Sequence, residues 1–383
     1  MTSLEPILTL PKHPFYCGLN VEDDSDLPAT LPFSLAVHPR YAIPRLVLTD
    51  EIRAVLNRAY ALGSMCSTPL GESALASNRM LEFEGHLLAA VGSLTNKTVL
   101  EIGCGNGGLL NELRNHGATV TGLEIGPQAD VVRQRYGIPV LAEPLRVSSP
   151  VGRFDVILSY GCLEHIEDLE SFFAASRAHL NSGGLFFHCV PNAAPAFERG
   201  DLEHLHHEHV NYFSTENALA LFDAQGFGNG GTAVNAAGNE LMVWGWFDPG
   251  RQAFWPEQRV AREIEVLAAH VARLRATERS TLAALSEWIA AGLRIGFYAG
   301  GYVYGYALND EGVRYFDADS YKHGKRWLPS LPPIEPPAAL EANPVDRIVV
   351  CKPHYMAAIT ATLTALGIHP SSVVNIDDLA ARC

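Results

Sequence analysis

The amino-acid sequence predicts an α/β protein built on a parallel β-sheet, with a second, smaller α/β unit near its C-terminus. First, apolar runs alternate with amphipathic segments between residues 97 and 191, as they do in sheets covered by helices on both faces. Second, the first of these runs, residues 98–102, leads into a glycine-rich segment. Third, the same alternation returns between residues 294 and 376, after a long helical stretch.

The order of these patterns divides the 383-residue chain into segments. Frequent prolines predict an irregular chain up to about residue 50, and capped apolar spacing predicts helices over 49–63 and 72–92. Residues 1–90 are predicted to form an irregular and helical region on the substrate side, and residues 91–250 the main sheet domain. Residues 251–293 are predicted to form a connecting helix, and residues 294–383 a smaller α/β domain.

The composition excludes several classes of partner. Lys and Arg total 28 against 42 Asp and Glu, and the net charge is −14 at pH 7. Such a chain repels nucleic-acid backbones and anionic membrane surfaces, so we expect a small-molecule substrate instead. An anionic substrate stays compatible, because Lys322, Lys325 and Arg326 can form a local positive site. The sequence has neither an apolar stretch of about 18 residues nor a leader peptide, so we expect no transmembrane helix and a cytoplasmic location.

The glycine-rich segment after the first strand predicts a cofactor site. It begins at Glu101 and reads EIGCGNGG, in which the glycines let the backbone turn sharply and approach a ligand closely. The spacing fits both a dinucleotide fingerprint and the pattern for S-adenosylmethionine (SAM). Glu101, two residues before Gly103, favours SAM, because a carboxylate suits an ammonium group and repels a pyrophosphate. Glu124, 21 residues after Gly103, can bind ribose hydroxyls of either cofactor.

A cluster of histidines follows the fifth predicted strand. Residues 204–209 read HLHHEH and precede a capped helix, so they lie in a loop near the cofactor end of the sheet. We consider acid–base chemistry first, because histidine titrates near neutrality and Glu208 can orient or polarise a neighbouring imidazole. A metal site comes second, although His206 and His207 are adjacent and must point in different directions. A solvated polar loop comes third.

Two further histidines stand in informative places. His165 follows the fourth strand in the segment CLEH, where a substrate-facing side chain is expected. Considered alone, His165 is equally well interpreted as a solvent-exposed residue at the start of a helix. His188 lies inside an apolar strand and is predicted to be a hydrogen-bonded core residue.

Several segments together resemble the sugar C-methyltransferases of deoxysugar biosynthesis, which belong to the class I SAM-dependent methyltransferases. The segments are LEIGCGNGG, LEHIEDLESF, HHEHVNYFS, GNELMV and DADSYKHGK, and they run from about residue 97 into the C-terminal unit. The resemblance implies a Rossmann-like class I methyltransferase sheet, SAM as methyl donor with S-adenosylhomocysteine as product, and methylation of a carbon next to a ketone.

The resemblance also implies roles for particular residues. His209 matches the general base that removes the proton next to the ketone, and Glu208 matches its acidic neighbour. His165 matches a histidine that assists the enolate or a substrate hydroxyl. The full set of expected catalytic residues is His209, Glu208, His165, His206 and Tyr60, and the expected cofactor contacts are Glu101, Gly103, Gly105, Gly107, Glu124 and Ser159.

The sequence departs from that family in its N-terminal region. The family carries paired zinc-binding cysteines there, whereas this region has only Cys17 and Cys66 among seven widely spread cysteines without a Cys-x-x-Cys motif. We therefore expect no structural zinc. A further difference is that His206 replaces a family tyrosine, so the substrate can differ from the usual one. The alternatives are a SAM-dependent O- or N-methyltransferase with or without a histidine-bound metal, an NAD-dependent oxidoreductase, and a non-catalytic binding protein.

Overall fold

The computed structural model describes residues 5–19, 27–251, 258–309 and 312–381. Its N-terminal part corrects the expectation of an irregular chain, because it forms a three-stranded antiparallel sheet in the order β1-β2-β3. In the second strand Leu31, Phe33 and Leu35 are buried at every second position, which is the period of a strand with one covered face. Flanking prolines hid this period in the sequence. The strands are β1 (Leu8–Pro14), β2 (Thr30–Val37) and β3 (Pro44–Leu46).

The two helices predicted after this sheet are confirmed as α1 (Asp50–Ala61) and α2 (Ala74–Val91). Thr49 caps the first helix by accepting a hydrogen bond from the Ile52 backbone N–H, and Ser73 caps the second in the same way. Helix α1 matters for the site, because its last turn carries Tyr60.

The main sheet has seven strands in the order β6-β5-β4-β7-β8-β10-β9, and its first five strands are parallel. Strand β10 runs antiparallel to both of its neighbours. The strands are β4 (Thr98–Ile102), β5 (Thr119–Leu123), β6 (Val140–Leu141), β7 (Phe154–Tyr160), β8 (Leu180–Pro191), β9 (Phe227–Val234) and β10 (Glu240–Phe247). The helices are α3 (Gly108–Asn115), α4 (Gln128–Tyr136), α5 (Leu169–His179), α6 (Ala193–Arg199) and α7 (Thr215–Ala224).

This strand order decides where a ligand can bind. From β4 the chain builds the sheet outward through β5 and β6, then returns to the other side of β4 with β7 and β8. The reversal leaves a crevice at the carboxyl ends of β4 and β7, which is where open α/β sheets bind ligands. The glycine-rich segment and the segment containing His165 follow these two strands directly.

A long helix, α8 (Gln258–Ala290), connects the main sheet to the C-terminal unit, as predicted; residues 252–257, where that prediction began, lie outside the described residues. Its Leu267 packs in one hydrophobic cluster with Phe33 of the N-terminal sheet and Val349 of the C-terminal sheet. The three regions therefore share one core. No helix among the described residues is long and apolar enough to cross a membrane.

The C-terminal unit contains a parallel five-stranded sheet in the order β13-β12-β11-β14-β15, so it has its own reversal beside β11. The strands are β11 (Ile295–Tyr298), β12 (Arg314–Phe316), β13 (Ile334–Glu335), β14 (Arg347–Val350) and β15 (Val373–Asn375). The helices are α9 (Tyr302–Leu308), α10 (Ala339–Ala342), α11 (Met356–Ala365) and α12 (Ile376–Ala380). The boundaries of the four predicted segments remain predictions.

Candidate active site

One cavity of about 790 Å³ connects the carboxyl ends of the two parallel sheets. Its wall includes Gly103 and Cys162 from the main sheet, Gly300 and Lys352 from the C-terminal sheet, and Tyr60 from the N-terminal region. This volume is in the range of small-molecule sites, and the contributions of three regions mean that the cavity exists only in the folded chain.

The glycine segment forms the part of the wall next to β4. Gly103, Gly105 and Gly107 all have positive φ, at 71°, 50° and 77°, a conformation that side chains disfavour. Gly103 and Gly105 line the cavity. Gly107 does not line the cavity. A Cβ there would lie 2.9 Å from the Val132 methyl groups, and Gly107 is instead the N-cap of α3. Its predicted cofactor contact is therefore replaced by a packing role.

Two carboxylates accompany the glycines. Glu124 accepts hydrogen bonds from the backbone N–H groups of Gly105 at 2.9 Å and Gly126 at 2.8 Å. Glu101 is buried, and its Oε2 has no hydrogen-bond partner among the described residues. Burial, followed by the nearby charge of Glu124, raises the pKa of Glu101 well above its ordinary value. Because both side chains line the cavity, the unpartnered oxygen of Glu101 fits a cationic group such as the ammonium of SAM.

Ser159 does not contact the cavity, and its predicted cofactor role is wrong. It lies in the interior of β7 with no exposed surface, and its hydroxyl is 2.5 Å from Nδ1 of His188. The strand alternates its faces, so Ser159 points into the core beside the partner that a buried imidazole requires. The same contact confirms that His188 is a core residue with a hydrogen bond at Nδ1, whereas its buried Nε2 has no partner among the described residues.

Three of the predicted histidines come together in the cavity. The ring centroids of His165 and His209 are 5.3 Å apart, and those of His206 and His209 are 4.8 Å apart. A turn positions them, because the His209 N–H donates to the carbonyl oxygen of His206 at 3.1 Å. The N–H groups of Val210 and Asn211 both donate to the Glu164 carbonyl oxygen, which ties the histidine loop to the segment after β7.

The hydrogen bonds of His165 indicate which of its nitrogens is free. Its Nδ1 is 2.7 Å from the carbonyl oxygen of Glu208, so Nδ1 carries the proton and Nε2 keeps a lone pair. The hydroxyl of Tyr60 is 3.3 Å from the same Nδ1. Burial lowers the pKa of His165 to about 4. It also lowers the pKa values of His206 and His209 well below the ordinary value, so all three imidazoles are neutral at neutral pH.

The carboxylate of Glu208 corrects one expectation. It accepts hydrogen bonds from the Ser64 hydroxyl and, at 3.1 Å, from the Cys66 thiol, and no hydrogen bond joins it to an imidazole. Glu208 therefore does not polarise a neighbouring ring through its side chain. It anchors the segment after α1 to the histidine loop, and only its backbone carbonyl orients His165.

The other two histidines of the loop, His204 and His207, do not both face the cavity. This follows from the adjacency of His206 and His207, whose side chains must point in different directions. His204 lines the cavity beside His206. His207 points the other way and packs against Phe33 and His13 of the N-terminal sheet, with ring centroids 5.2 and 5.8 Å away. It does not belong to the site, so sequence proximity overestimated the number of functional histidines.

Glu164 is a cavity residue that sequence reasoning missed. It is 2% exposed, its Oε2 has no hydrogen-bond partner in the part of the chain that the structure describes, and burial raises its pKa to about 8. Its position directly before His165 was the available signal. Ligand atoms of Glu164, His165 and His209 lie within 4.8 Å of one another, so these residues can hold a metal ion. The other such group in the described part of the chain, Glu84, Glu112 and His116, does not line this cavity.

The predicted positive site for an anionic substrate does not form. Lys322 lines the cavity, but its ammonium lies 2.7 Å from the Asp317 carboxylate. Lys325 and Arg326 are not part of the wall, and Arg326 donates to the Leu331 carbonyl oxygen. Instead, Lys352 follows β14 by two residues, and its ammonium is 4.0 Å from the buried carboxylate of Glu203. Lys352 and Glu203 are far apart in the sequence, so their pairing could not be predicted from local spacing.

Comparison with known proteins supports the fold class. Residues 77–229, less than half of the chain, match the family model described as a methyltransferase domain. This match and the sheet order confirm the class I methyltransferase Rossmann-like fold. The crystal structure of 1,6-didemethyltoxoflavin-N1-methyltransferase from Burkholderia thailandensis, with substrate and S-adenosylhomocysteine bound, is 20% identical, covers 59% of this chain and 98% of its own, and has a TM-score of 0.41.

Curated relatives resemble a shorter part of the chain. The ubiquinone biosynthesis O-methyltransferase of Methylobacterium sp. (strain 4-46) is 36% identical over 106 residues, which are 26% of this chain and 43% of that protein. The protein of the same name from Bordetella bronchiseptica is 31% identical over 120 residues, 29% of this chain and 49% of its own. The chain thus spans less than half the length of these relatives, and their names do not match the resemblance to sugar C-methyltransferases.

Proposed function

We propose that this chain is a SAM-dependent methyltransferase of a small molecule and that it methylates a carbon next to a ketone. The observation that carries the proposal is the placement of three neutral imidazoles, buried His209 and half-buried His165 and His206, in the cavity that begins at the glycine segment. The glycine segment supplies a cofactor site, and the imidazoles supply proton acceptors beside it. A reaction that needs both a bound cofactor and a base on the acceptor fits this combination.

The cofactor half of the site fits SAM better than a dinucleotide. SAM, when bound, supplies an electrophilic methyl group. In the proposed site Glu101 binds the ammonium group, Glu124 binds ribose hydroxyls, and Gly103 and Gly105 let the backbone approach the ligand. A dinucleotide would bring a pyrophosphate towards Glu101, which in its ionised form repels it.

On the acceptor side, His209 removes the proton next to the ketone. The Nε2 lone pair of His165 accepts a hydrogen bond from a substrate hydroxyl, because the Nδ1 proton of His165 is held by the Glu208 carbonyl. Tyr60 lines the cavity, and burial raises its pKa well above the ordinary value, so its hydroxyl stays protonated. It can therefore donate to the oxygen on which negative charge develops when the carbon is deprotonated.

O-methylation is the second candidate, favoured by the names of the curated relatives. In that reaction His209 would deprotonate a hydroxyl, or Glu164, His165 and His209 would hold a metal ion that binds the acceptor oxygen. We expect dialysis against EDTA to leave turnover unchanged. Loss of activity that added Mg²⁺, Mn²⁺ or Zn²⁺ restores would favour the metal-assisted alternative.

Two experiments test the proposal. Calorimetry with SAM, S-adenosylhomocysteine and NAD tests the cofactor, and binding of NAD without binding of SAM would reject a methyltransferase. Incubation of the protein with SAM labelled with ¹³C in the methyl group and a panel of hydroxyketones and catechols tests the acceptor. We expect the label in a methyl group bound to carbon, and its appearance only in methoxy groups would assign O-methylation.

A further inference from the structure

We propose that Tyr302 of the C-terminal unit is a positioning residue that holds His206 in the tautomer with its proton on Nε2. This inference rests on the proposed function, in which His206 belongs to the acid–base site. The Tyr302 hydroxyl lies 3.1 Å from Nδ1 of His206. Both residues line the cavity, although 95 residues separate them in the chain.

The direction of this hydrogen bond follows from what each group can do. Burial raises the pKa of Tyr302 well above its ordinary value, so the phenol keeps its proton. A buried hydroxyl needs an acceptor, and the Nδ1 of His206 is at the right distance to be that acceptor. Tyr302 therefore donates to Nδ1. A neutral imidazole carries one proton, which leaves that proton on Nε2.

Local packing fixes the position of Tyr302. It is the first residue of α9, and the preceding Gly301 has φ 91°. A Cβ at Gly301 would lie 2.2 Å from the Phe297 ring, so only glycine permits this sharp entry into the helix. On its other side the Tyr302 ring stacks on Tyr16 of the N-terminal region, with centroids 5.3 Å apart and planes inclined by 29°. Two regions thus hold the phenol against His206.

His206 is fixed at its backbone as well. Its carbonyl oxygen accepts the Tyr212 hydroxyl at 3.2 Å and the His209 N–H at 3.1 Å. With the backbone held on one side and Nδ1 on the other, Nε2–H is the donor that His206 offers to the cavity beside His209. The C-terminal unit thereby sets a proton position within the acid–base site and does more than enclose the acceptor.

Nuclear magnetic resonance of protein labelled with ¹⁵N-histidine tests this proposal without any knowledge of the acceptor. The ¹⁵N shifts and their couplings to ring protons show which nitrogen of each imidazole carries the proton, and loss of a signal in His206→Gln assigns His206. In the full chain at pH 7.5 we expect a protonated Nε2 and an unprotonated, hydrogen-bonded Nδ1. A proton on Nδ1 of His206 in the unaltered protein would overturn the proposal.

Tyr302→Phe removes the hydroxyl and keeps the ring. We expect the Nδ1 shift of His206 to move towards the value of a protonated or mixed tautomer. Tyr304→Phe is the matched control, because Tyr304 is 2% exposed on the same helix and does not line this cavity. Identical His206 signals in Tyr302→Phe, or equal changes in both variants, would reject the assignment. SAM binding measured on the same samples tests the proposed function separately.

Discussion

The two halves of the cavity that the proposed function assigns, one to the cofactor and one to the acceptor, are built in different ways. The cofactor half comes from one short segment, residues 101–108, and from Glu124 at the end of the neighbouring strand. The acceptor half needs α1 for Tyr60, the segment after β7 for His165, the histidine loop for His209 and α9 for Tyr302. A local segment can thus define cofactor chemistry, whereas acceptor chemistry depends on how distant segments meet.

Substitution of His209 should have the largest effect, and only on the acceptor half. We expect His209→Ala to lower turnover by about 10²–10⁴-fold, since a positioned base contributes that much, and to leave SAM affinity within about twofold. Turnover assays and calorimetry measure the two effects. His369→Ala, at an exposed position outside the cavity, is the control and should retain full activity. Unchanged turnover in His209→Ala would remove this residue from the mechanism.

Glu101→Gln should weaken SAM binding, the property that His209→Ala is expected to leave unchanged. Loss of one charged contact to the ammonium group of SAM should weaken SAM binding by about 10–100-fold, because hydrogen bonds to charged groups contribute about 1.5–3 kcal/mol. Glu265→Gln, which removes the same charge from an exposed position on α8, should bind SAM normally. Calorimetry that finds equal dissociation constants for both variants would contradict the ammonium site.

The two halves should also respond to pH in opposite senses. Burial lowers the pKa of His165 from 6.5 to about 4, so its contribution to stability is present above about pH 6.5 and is lost as the pH falls towards 4. Burial raises the pKa of Glu101, so its contribution is present below the ordinary value of 4.5 and is lost as the pH rises.

Urea unfolding between pH 5 and pH 8 measures these contributions. We expect His165→Gln to reduce the loss of stability below about pH 6.5, by up to about 1.4 kcal/mol per pH unit for one proton. Glu101→Gln should reduce the loss at higher pH. Parallel pH profiles for both variants and the unaltered protein would show that neither group titrates differently in the folded chain.

Ser159→Ala should have the smallest effect on the cavity and should leave both halves intact. It removes the hydroxyl that contacts Nδ1 of His188 in the core, so we expect a loss of about 1–3 kcal/mol in the free energy of unfolding. SAM affinity should stay within about twofold, because Ser159 does not line the cavity. A tenfold weaker SAM affinity with unchanged stability would restore the original cofactor role of this residue.

Sequence reasoning succeeded where a local pattern decided the outcome. The helices α1 and α2, the order of strands and helices from β4 to β8 and the core position of His188 all follow from apolar spacing or capping over a few residues. It failed at β1–β3, because prolines interrupt the alternation of apolar residues that indicates a strand. The strands become evident only from their antiparallel pairing. Sequence reasoning also failed at Ser159, where a single position on an alternating strand decides between core and cavity.

The α/β class, the glycine segment with its two carboxylates and the set of histidines from which the cavity takes its imidazoles could all be predicted from the sequence. These depend on residue types at short spacing, and short spacing constrains the backbone directly. Three features depend on long-range packing instead: His207 lies outside the site, the Glu208 carboxylate binds Ser64 and Cys66, and the Tyr302 hydroxyl contacts His206. Side-chain partners across the chain depend on the packing of a shared core, which no local spacing encodes.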